Sequence, residues 1–308
     1  MMGVIVGDAL GCPVQFHSRT EVAKNPITGM RGYGTFNVPA GSWTDDSSLT
    51  LATYDSLRTL GRIDLDDIMN RFMDWLYAGA YTPYDKAYDV GNCCRSAIAD
   101  YSINHNPKTC GPRRHLDNGN GSLMRILPVC IYVYDQVTAG KMTEDMAVDL
   151  VHQVSALTHG HRRSKMCCGF YYFMVKHILN DRTDKSLIDC LQDGINDGVR
   201  LYSGNDIYQD QLDFVRRLTV LDQFKGVSAN RVSSSGYVID TIEAAVWSLI
   251  TTDSLKDALL TAVNLGDDTD TVGAIAGGLA ALYYGYDAIP ADWIQAIQKK
   301  DWIDDLIG

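Results

Sequence analysis

The sequence predicts an all-α fold, and two of its features lead to that prediction. Apolar residues recur at three- and four-residue spacing over most of the chain, which is the period of helices that bury one face. No segment alternates apolar and polar residues long enough to predict a β-strand. Capping residues agree with the helical period, since Ser186 and Ser254 each precede an amphipathic segment. We therefore expect a domain of about a dozen helices.

The individual helices follow from the same period. Those expected span residues 49–60, 65–78, 93–103, 143–157, 165–179, 186–202, 238–251, 254–264 and 272–284, with a further apolar helix from residue 126. Residues 201–235 are polar and contain glycine, so we expect a long loop with one short helix there. No repeat of fixed period and no Pro- or Ser-rich linker divides the chain, which predicts a single domain over residues 1–308.

The composition excludes some classes of protein. The 308 residues are 46% apolar and have a formal net charge of −11, which argues against nonspecific binding to nucleic acid or to an anionic membrane. No apolar stretch has the length of a membrane span, and residues 1–8 lack the basic region of a signal peptide. Eight cysteines include two adjacent pairs but no C-x2-C spacing. We expect reduced cysteines and a cytoplasmic protein.

An acidic turn at residues 264–271 precedes the expected helix 272–284. Asp267, Asp268 and Asp270 lie within four residues there, and like charges at this spacing raise each other's pKa unless a cation lies among them. Two interpretations are open at this point. The turn could be half of a metal site, or it could be an ordinary acidic helix start that favours the cap and the helix dipole.

A second acidic turn, Thr44–Asp46, favours the metal site. The two turns together offer only oxygen ligands, and such hard ligands select Mg²⁺ or Mn²⁺ over zinc or copper. Four carboxylates would balance two divalent ions, as in two-metal hydrolytic centres. The expected metal ligands are Thr44, Asp45, Asp46, Asp268, Asp270 and Thr271. Asp267 is expected to lie outside this set.

Five other loops contain polar or glycine residues that suit a binding site. Residues 7–16 have two possible interpretations. They could be a helix that is broken where its backbone comes close to another element, or they could be a plain helix end. Asp89 lies in a glycine-containing turn, where it could also be an ordinary helix cap. The glycine-rich turn 117–125 could present N–H groups to a phosphate, although it lacks a P-loop lysine. His159 could line a pocket, and Tyr237 could stack on a base or sugar.

These segments, taken in order, resemble the motifs of one family. They are Gly7-Asp8-Ala9-Leu10-Gly11, Trp43-Thr44-Asp45-Asp46, Asp89-Val90-Gly91-Asn92, Asn118-Gly119-Asn120-Gly121-Ser122-Leu123-Met124-Arg125 and Gly266-Asp267-Asp268-Thr269-Asp270-Thr271. Together they are similar to the ADP-ribosylglycohydrolase family, in particular to the bacterial branch that includes the dinitrogenase reductase-activating glycohydrolase. The motifs cover residues 3–285, nearly the whole chain.

The resemblance implies a fold, a reaction and a set of site residues. The fold is an orthogonal helical bundle, with two Mg²⁺ or Mn²⁺ ions at the base of an ADP-ribose cleft. The reaction is hydrolysis of the glycosidic bond at C1″ of the distal ribose, typically from arginine, and the partner is an ADP-ribosylated protein or ADP-ribose. Asp89 would be the acid/base and Asp46 would assist at the metals. The residues that would bind substrate are Asn118, Gly119, Asn120, Gly121, Ser122, Met124, His159, Gly236 and Tyr237.

One catalytic position departs from the family pattern. Family members usually have Glu beside the metals where this chain has Gln15, and an amide cannot accept a proton as a base. Asp46, Asp268 or Asp89 could activate water instead. Alternatively the protein could be an ADP-ribose-binding or structural relative with impaired catalysis, or Gln15 could be a substitution introduced to trap a complex.

Overall fold

The computed structural model describes residues 1–308 and contains fifteen α-helices, four 3-10 helices and no strand. The α-helices are α1 (Met2–Gly11), α2 (Arg19–Val22), α3 (Asp45–Leu60), α4 (Leu65–Ala78), α5 (Asn92–Asn104), α6 (Leu127–Thr138), α7 (Glu144–Ala156), α8 (Arg162–Asp181), α9 (Leu187–Ser203), α10 (Leu221–Lys225), α11 (Val238–Ile250), α12 (Leu255–Val263), α13 (Thr269–Tyr284), α14 (Ala291–Ala296) and α15 (Lys300–Ile307). The 3-10 helices are Cys12–Val14, Gln209–Thr219, Ala229–Arg231 and Tyr286–Ala288. The prediction of an all-α fold is confirmed.

The predicted helices are all present, and three of them begin earlier than the apolar period indicated. α3, α8 and α13 begin at Asp45, Arg162 and Thr269. Their first turns contain polar or charged residues, so the apolar period could not reveal them. These turns are nevertheless buried, with Asp45, Arg163 and Asp270 all below 9% exposure. α14 and α15 near the end of the chain were not predicted.

The expected loop at residues 201–235 is more ordered than predicted. It contains the 3-10 helix Gln209–Thr219, the helix α10 and a further 3-10 turn. Arg162 holds this segment against α8 by donating to Asp210 at 2.6 Å, and Arg163 Nε donates to Gln211 at 3.1 Å. The prediction of one short helix was therefore wrong, because tertiary contacts order a segment that is polar in sequence.

α1 crosses α13 with the two backbones in direct contact. A Cβ atom on Gly3 would lie 2.2 Å from the carbonyl oxygen of Gly277, and one on Gly7 would lie 2.0 Å from that of Gly273. Only glycine permits such an approach. The 3-10 turn with Pro13 follows α1, which agrees with the expectation of a helix broken near a close backbone contact. The crossing places the end of α1 beside the start of α13.

A single hydrophobic core supports this arrangement. It comprises 83 buried residues in one contiguous cluster that extends from Met2 to Leu306. All eight cysteines are free, and seven of them are buried. No helix in the structure is long and apolar enough to cross a membrane.

Candidate active site

The two acidic turns predicted from the sequence meet at the N-termini of α3 and α13. Asp45 and Asp46 form the first turn of α3, while Asp268 caps α13 and Asp270 lies in its first turn. All four carboxylates are buried, at 9% exposure or less. The Thr271 hydroxyl lies 3.4 Å from Oδ2 of Asp46 and so joins the two turns. Two helix N-termini directed at one cluster favour negative charge there.

Burial makes this cluster electrostatically costly. It raises the pKa of Asp45, Asp46 and Asp270 well above the usual range, and the neighbouring carboxylates raise it further. Burial also raises the pKa of Asp268, although a hydrogen bond from Asn120 acts in the opposite direction. Four such carboxylates cannot all be ionised unless positive charge lies among them.

The donor atoms of the cluster suit a hard cation. Oδ1 of Asp46 and Oδ2 of Asp270 are buried without a hydrogen-bond partner, and so is Oδ2 of Asp89. Buried polar atoms are rarely left unpaired, because each loses its hydration without compensation. Unpaired carboxylate oxygens are the ligands that Mg²⁺ and Mn²⁺ prefer. The residues present therefore fit the divalent ions that the sequence predicts.

Asp8 is a site residue that the sequence-based prediction missed. It is fully buried in α1 and accepts hydrogen bonds from the backbone N–H of Thr44 at 3.0 Å and from both the N–H and hydroxyl of Ser47 at 3.0 and 2.6 Å. Burial raises the pKa of Asp8 to about 7 although these hydrogen bonds lower it. Asp8 thus fixes the start of α3 and with it Asp45 and Asp46. The signal was available, since Asp8 is the one charged residue in an apolar helix.

Asn120 contacts the acidic cluster directly. Its Nδ2 donates to Oδ2 of Asp268 at 2.6 Å and to the Thr241 hydroxyl at 2.9 Å. Its backbone N–H donates to the Gly236 carbonyl at 3.1 Å, beside the isolated bridge between Gly119 and Tyr237. The predicted substrate turn is thereby attached to the segment before α11, and Asn120 orients one carboxylate of the cluster.

A cleft of about 520 Å³ opens above the cluster, a size typical of small-molecule sites. Eleven of the predicted site residues line it: Gln15, Asp45, Asp89, Gly119, Asn120, Gly121, Met124, His159, Gly236, Asp268 and Thr271. The structure thus brings together residues from seven separate segments of the chain. A larger cleft of about 780 Å³, beside His152 and Tyr208, is lined by none of the predicted residues.

Six predicted residues do not line the cleft. Thr44, Asp46 and Asp270 are buried beneath it, in the acidic cluster. Ser122 is fully buried and accepts a hydrogen bond from the Ser155 hydroxyl at 2.9 Å, so its side chain faces the core. The remaining two side chains are held beside the cleft: Nδ2 of Asn118 donates to the His115 carbonyl, and the Tyr237 hydroxyl accepts from Arg163 at 2.9 Å.

Asp89 and Gln15 lie at the wall of the cleft beside the cluster. Burial raises the pKa of Asp89 to about 6, and its backbone has a left-handed φ of 52°. Such a backbone is uncommon outside glycine and is often found at functional sites. Nε2 of Gln15 lies 3.5 Å from Oδ1 of Asp268, and Oε1 of Gln15 is buried without a partner.

A second group of possible metal ligands lies elsewhere on the protein. His177, Asp181 and Asp193 have ligand atoms within 4.8 Å of one another. Lys185 already pairs with Asp181 at 3.1 Å and with Asp193 at 2.8 Å, and Asp197 pairs with His177 at 3.0 Å. These contacts describe a partly exposed ion-pair network between α8 and α9.

The structure is that of an all-α protein with a cluster of buried carboxylates beneath a cleft. Residues 1–308 match the sequence profile of the ADP-ribosylglycohydrolase family, and the chain belongs to that family.

Relatives support this assignment over nearly the whole chain. The ADP-ribosyl-[dinitrogen reductase] glycohydrolase of Rhodospirillum rubrum is 32% identical over 301 residues, which cover 97% of this chain and 89% of the relative. The ADP-ribosylarginine hydrolase Tri1 of Serratia proteamaculans is 29% identical over 306 residues, which cover 99% and 76%. A solved structure described as an ADP-ribosylglycohydrolase-related protein complex aligns with a TM-score of 0.78 and 27% identity, covering 99% of this chain and 93% of that one.

Proposed function

We propose that this protein hydrolyses the N-glycosidic bond between the distal ribose of ADP-ribose and a modified arginine side chain, and so reverses mono-ADP-ribosylation. The observation that supports this most directly is the cluster of four buried carboxylates beneath a cleft that Asp89 also lines. The names of the relatives Tri1 and the dinitrogen reductase glycohydrolase support the substrate class. Its partner is then an ADP-ribosylated protein, and the net charge of −11 disfavours nucleic acid.

We assign the metal site to Thr44, Asp45, Asp46, Asp268, Asp270 and Thr271, with two Mg²⁺ or Mn²⁺ ions. The unpaired oxygens of Asp46 and Asp270 support this assignment. When bound, such ions would polarise ribose hydroxyls and lower the pKa of a bound water.

The chain's own residues then provide proton transfer and orientation. Asp89 has a pKa near 6, so a useful fraction is protonated near neutral pH and can donate a proton to the departing guanidine nitrogen. The side chain of Gln15 orients Asp268 through its amide, and Asp46 contributes an acceptor oxygen at the floor of the cleft. The ADP portion, bound away from the reacting bond, supplies binding energy for orientation.

The glycine-rich turn is suited to bind the pyrophosphate through its backbone. A Cβ atom on Gly121 would lie 2.7 Å from Cε1 of His159, so no side chain fits at this position. Burial lowers the pKa of His159 to about 3, and the ring is therefore neutral at pH 7. His159 would thus form an uncharged wall, and phosphate recognition would depend on N–H donors of the turn.

The test is release of ADP-ribose from a protein modified on arginine. We expect release with Mn²⁺ or Mg²⁺, and loss of release when EDTA is added. The matched control is Asp287→Asn, a change at an exposed carboxylate outside the cleft. Absence of release with either ion, together with retained binding of ADP-ribose, would contradict the proposed function.

A second candidate function is ADP-ribose binding with impaired catalysis, and the neutral side chain of Gln15 favours it. The same assay with Gln15→Glu separates the two candidates. A rate much higher in Gln15→Glu than in wild type would show that the missing carboxylate limits turnover. Equal rates in two active proteins would show that another carboxylate activates water.

We also propose that the protein acts in the cytoplasm. Its eight free cysteines, which include the half-buried Cys93, suit a reducing compartment. Fractionation of cells that express the chain would test this location.

A further inference from the structure

We propose that Phe16 and Asp267 form a guanidinium-recognition pair at the cleft, which selects arginine-linked ADP-ribose over neutral linkages. This inference rests on the proposed function and extends it to the choice of the modified side chain. Neither residue belongs to the metal, acid/base or pyrophosphate sets described above. Both line the cleft, beside Gln15 and Asp268.

The two residues are held together by their backbones. The N–H of Phe16 donates to the carbonyl of Asp267 at 2.6 Å, and the N–H of Asp267 donates to the carbonyl of His17 at 2.7 Å. These bonds hold together two turns that are about 250 residues apart in the chain. The backbones of Phe16 and Asp267 therefore have a fixed relation to each other, and both residues line the cleft.

Both residues have left-handed backbone conformations. The φ angles of Phe16 and Asp267 are 67° and 59°. This conformation is an outlier for a bulky residue such as Phe and is tolerated rather than favoured by Asp. Strain of this kind persists where the surroundings enforce it and is concentrated at functional sites. Glycine would relieve it at either position but would remove the side chain from the cleft.

The carboxylate of Asp267 is available for a cation. The nearby guanidinium of Arg19 is directed at backbone carbonyls, with Nε donating to Leu265 at 2.7 Å and Nη2 to Val232 at 2.6 Å. Its third nitrogen donates to the Ala229 carbonyl. Asp267 itself is exposed, in contrast to the buried carboxylates of the acidic cluster.

The ring of Phe16 is exposed although it is apolar. It is 65% accessible, while its edge contacts Phe36 with ring centroids 6.3 Å apart. Phe36 in turn packs on Tyr88 at 5.3 Å, so an aromatic row supports Phe16 from one side. The remainder of the ring is open to the cleft and to solvent.

An aromatic face beside a carboxylate matches the chemistry of a guanidinium. This cation is planar, donates two parallel hydrogen bonds to a carboxylate in its plane and stacks on aromatic rings. A serine linkage presents a neutral oxygen and can use neither interaction. The pair lies beside Asp268 and Gln15, at the end of the cleft where the bond to the modified side chain would be cleaved.

The experiment compares two peptides of one sequence that differ only in ADP-ribose linkage, to arginine or to serine. We expect Asp267→Asn to lower kcat/KM about tenfold for the arginine peptide, the effect of one lost charge-assisted pair, with little change for the serine peptide. Phe16→Ala should lower it about threefold, and Phe16→Tyr should restore the wild-type value. Asp267→Gly removes the carboxylate and also relieves the strain of the left-handed backbone. If the lost charge causes the effect, this variant should behave as Asp267→Asn does.

Exposed residues outside the cleft provide matched controls. Asp287→Asn removes a carboxylate and Tyr77→Ala removes a ring that is 60% exposed, and neither should change the preference between linkages. Equal losses for both peptides in Asp267→Asn, or a wild-type preference for serine, would overturn the inference.

Binding measurements separate this inference from the proposed function. If the wild-type protein releases no ADP-ribose from either peptide, the proposed function fails, and calorimetry on the same peptides decides the inference. Asp267→Asn must then weaken binding of the arginine peptide while leaving the affinity for free ADP-ribose unchanged. Equal affinities of wild type and variant for the arginine peptide would reject the recognition pair.

Discussion

The amide nitrogen of Gln15 lies 3.5 Å from Oδ1 of Asp268. The buried side chains that the two acidic turns contribute to this site are carboxylates and hydroxyls, so Gln15 adds a neutral amide to them. A glutamate at this position would place a fifth carboxyl group against the cluster. We expect Gln15→Glu to lower the free energy of unfolding by about 1–2 kcal/mol without divalent cations, the scale of one pKa unit of repulsion.

Divalent ions should reverse that loss. Thermal unfolding of wild type and Gln15→Glu, first with EDTA and then with Mn²⁺, measures the stability of each protein without and with the ions. The variant should gain more from Mn²⁺ than wild type does, because binding to the folded state adds stability by mass action. Equal gains in the two proteins would contradict a role of residue 15 next to the ions.

Removal of one predicted ligand should remove bound metal. We expect Asp268→Ala or Asp45→Ala to lose at least one ion per chain and to weaken the binding of the other, since each carboxylate supplies a large part of the local negative charge. Metal content after dialysis, measured by mass spectrometry, gives the stoichiometry. Retention of both ions after either substitution would refute the ligand assignment.

The crossing of α1 and α13 predicts a severe effect of one methyl group. In Gly7→Ala the new Cβ would lie 2.0 Å from the carbonyl oxygen of Gly273, so the helices must separate. We expect a loss of about 3 kcal/mol or more, at the upper end for overpacking. Gly204→Ala is the control, because its nearest neighbour would be 3.9 Å away. Urea unfolding of the two variants gives the comparison, and similar midpoints would argue against the backbone contact.

Acid should destabilise the protein through the half-buried His152. Burial lowers the pKa of His152 to about 3, while an unfolded histidine titrates near about 6.5. The unfolded state therefore binds the proton first as the pH falls, so the stability that is present above pH ~6.5 is lost progressively toward pH ~3. Between pH ~6.5 and ~5 this amounts to about 2 kcal/mol.

His152→Gln should reduce that pH dependence. Its amide can keep a hydrogen bond to the Tyr202 hydroxyl, which lies 2.8 Å from Nε2 of the histidine. Urea unfolding at several pH values measures the slope, and the exposed His105→Asn serves as the control. A slope in His152→Gln as steep as that of wild type would show that other groups cause the acid sensitivity.

The sequence predicted those parts of the fold and site that depend on local pattern. The helical period gave the core helices, and the paired acidic turns indicated that Asp45, Asp46, Asp268 and Asp270 would converge, as the structure shows. Acidic and hydroxyl residues at two helix starts can be recognised from short stretches of sequence, because both their charge and their spacing can be read there.

Contacts between distant segments could not be predicted in this way. The hydrogen bond from Asn120 to Asp268 spans 148 residues, and the bond that the Thr44 N–H donates to Asp8 depends on where α1 ends. The backbone link between Phe16 and Asp267 arises only once α1 lies against α13. The 3-10 helix Gln209–Thr219 likewise depends on Arg162 and Arg163 of α8. Polar segments of this kind have no apolar period of their own.

The glycine-lined contact of α1 with α13 also determines when the protein can complete its active site during synthesis. All ten residues of α1 are buried in the folded protein, and α1 is translated long before its partner glycines, Gly273 and Gly277. Until then this apolar helix lacks its main native partner, and exposed apolar surface of this kind makes an incomplete chain prone to aggregation. A translation product that stops before α13 would contain Asp8, Asp45 and Asp46, but it could not form the acidic cluster because it lacks Asp270. The acidic cluster can therefore assemble only once α13 has been made.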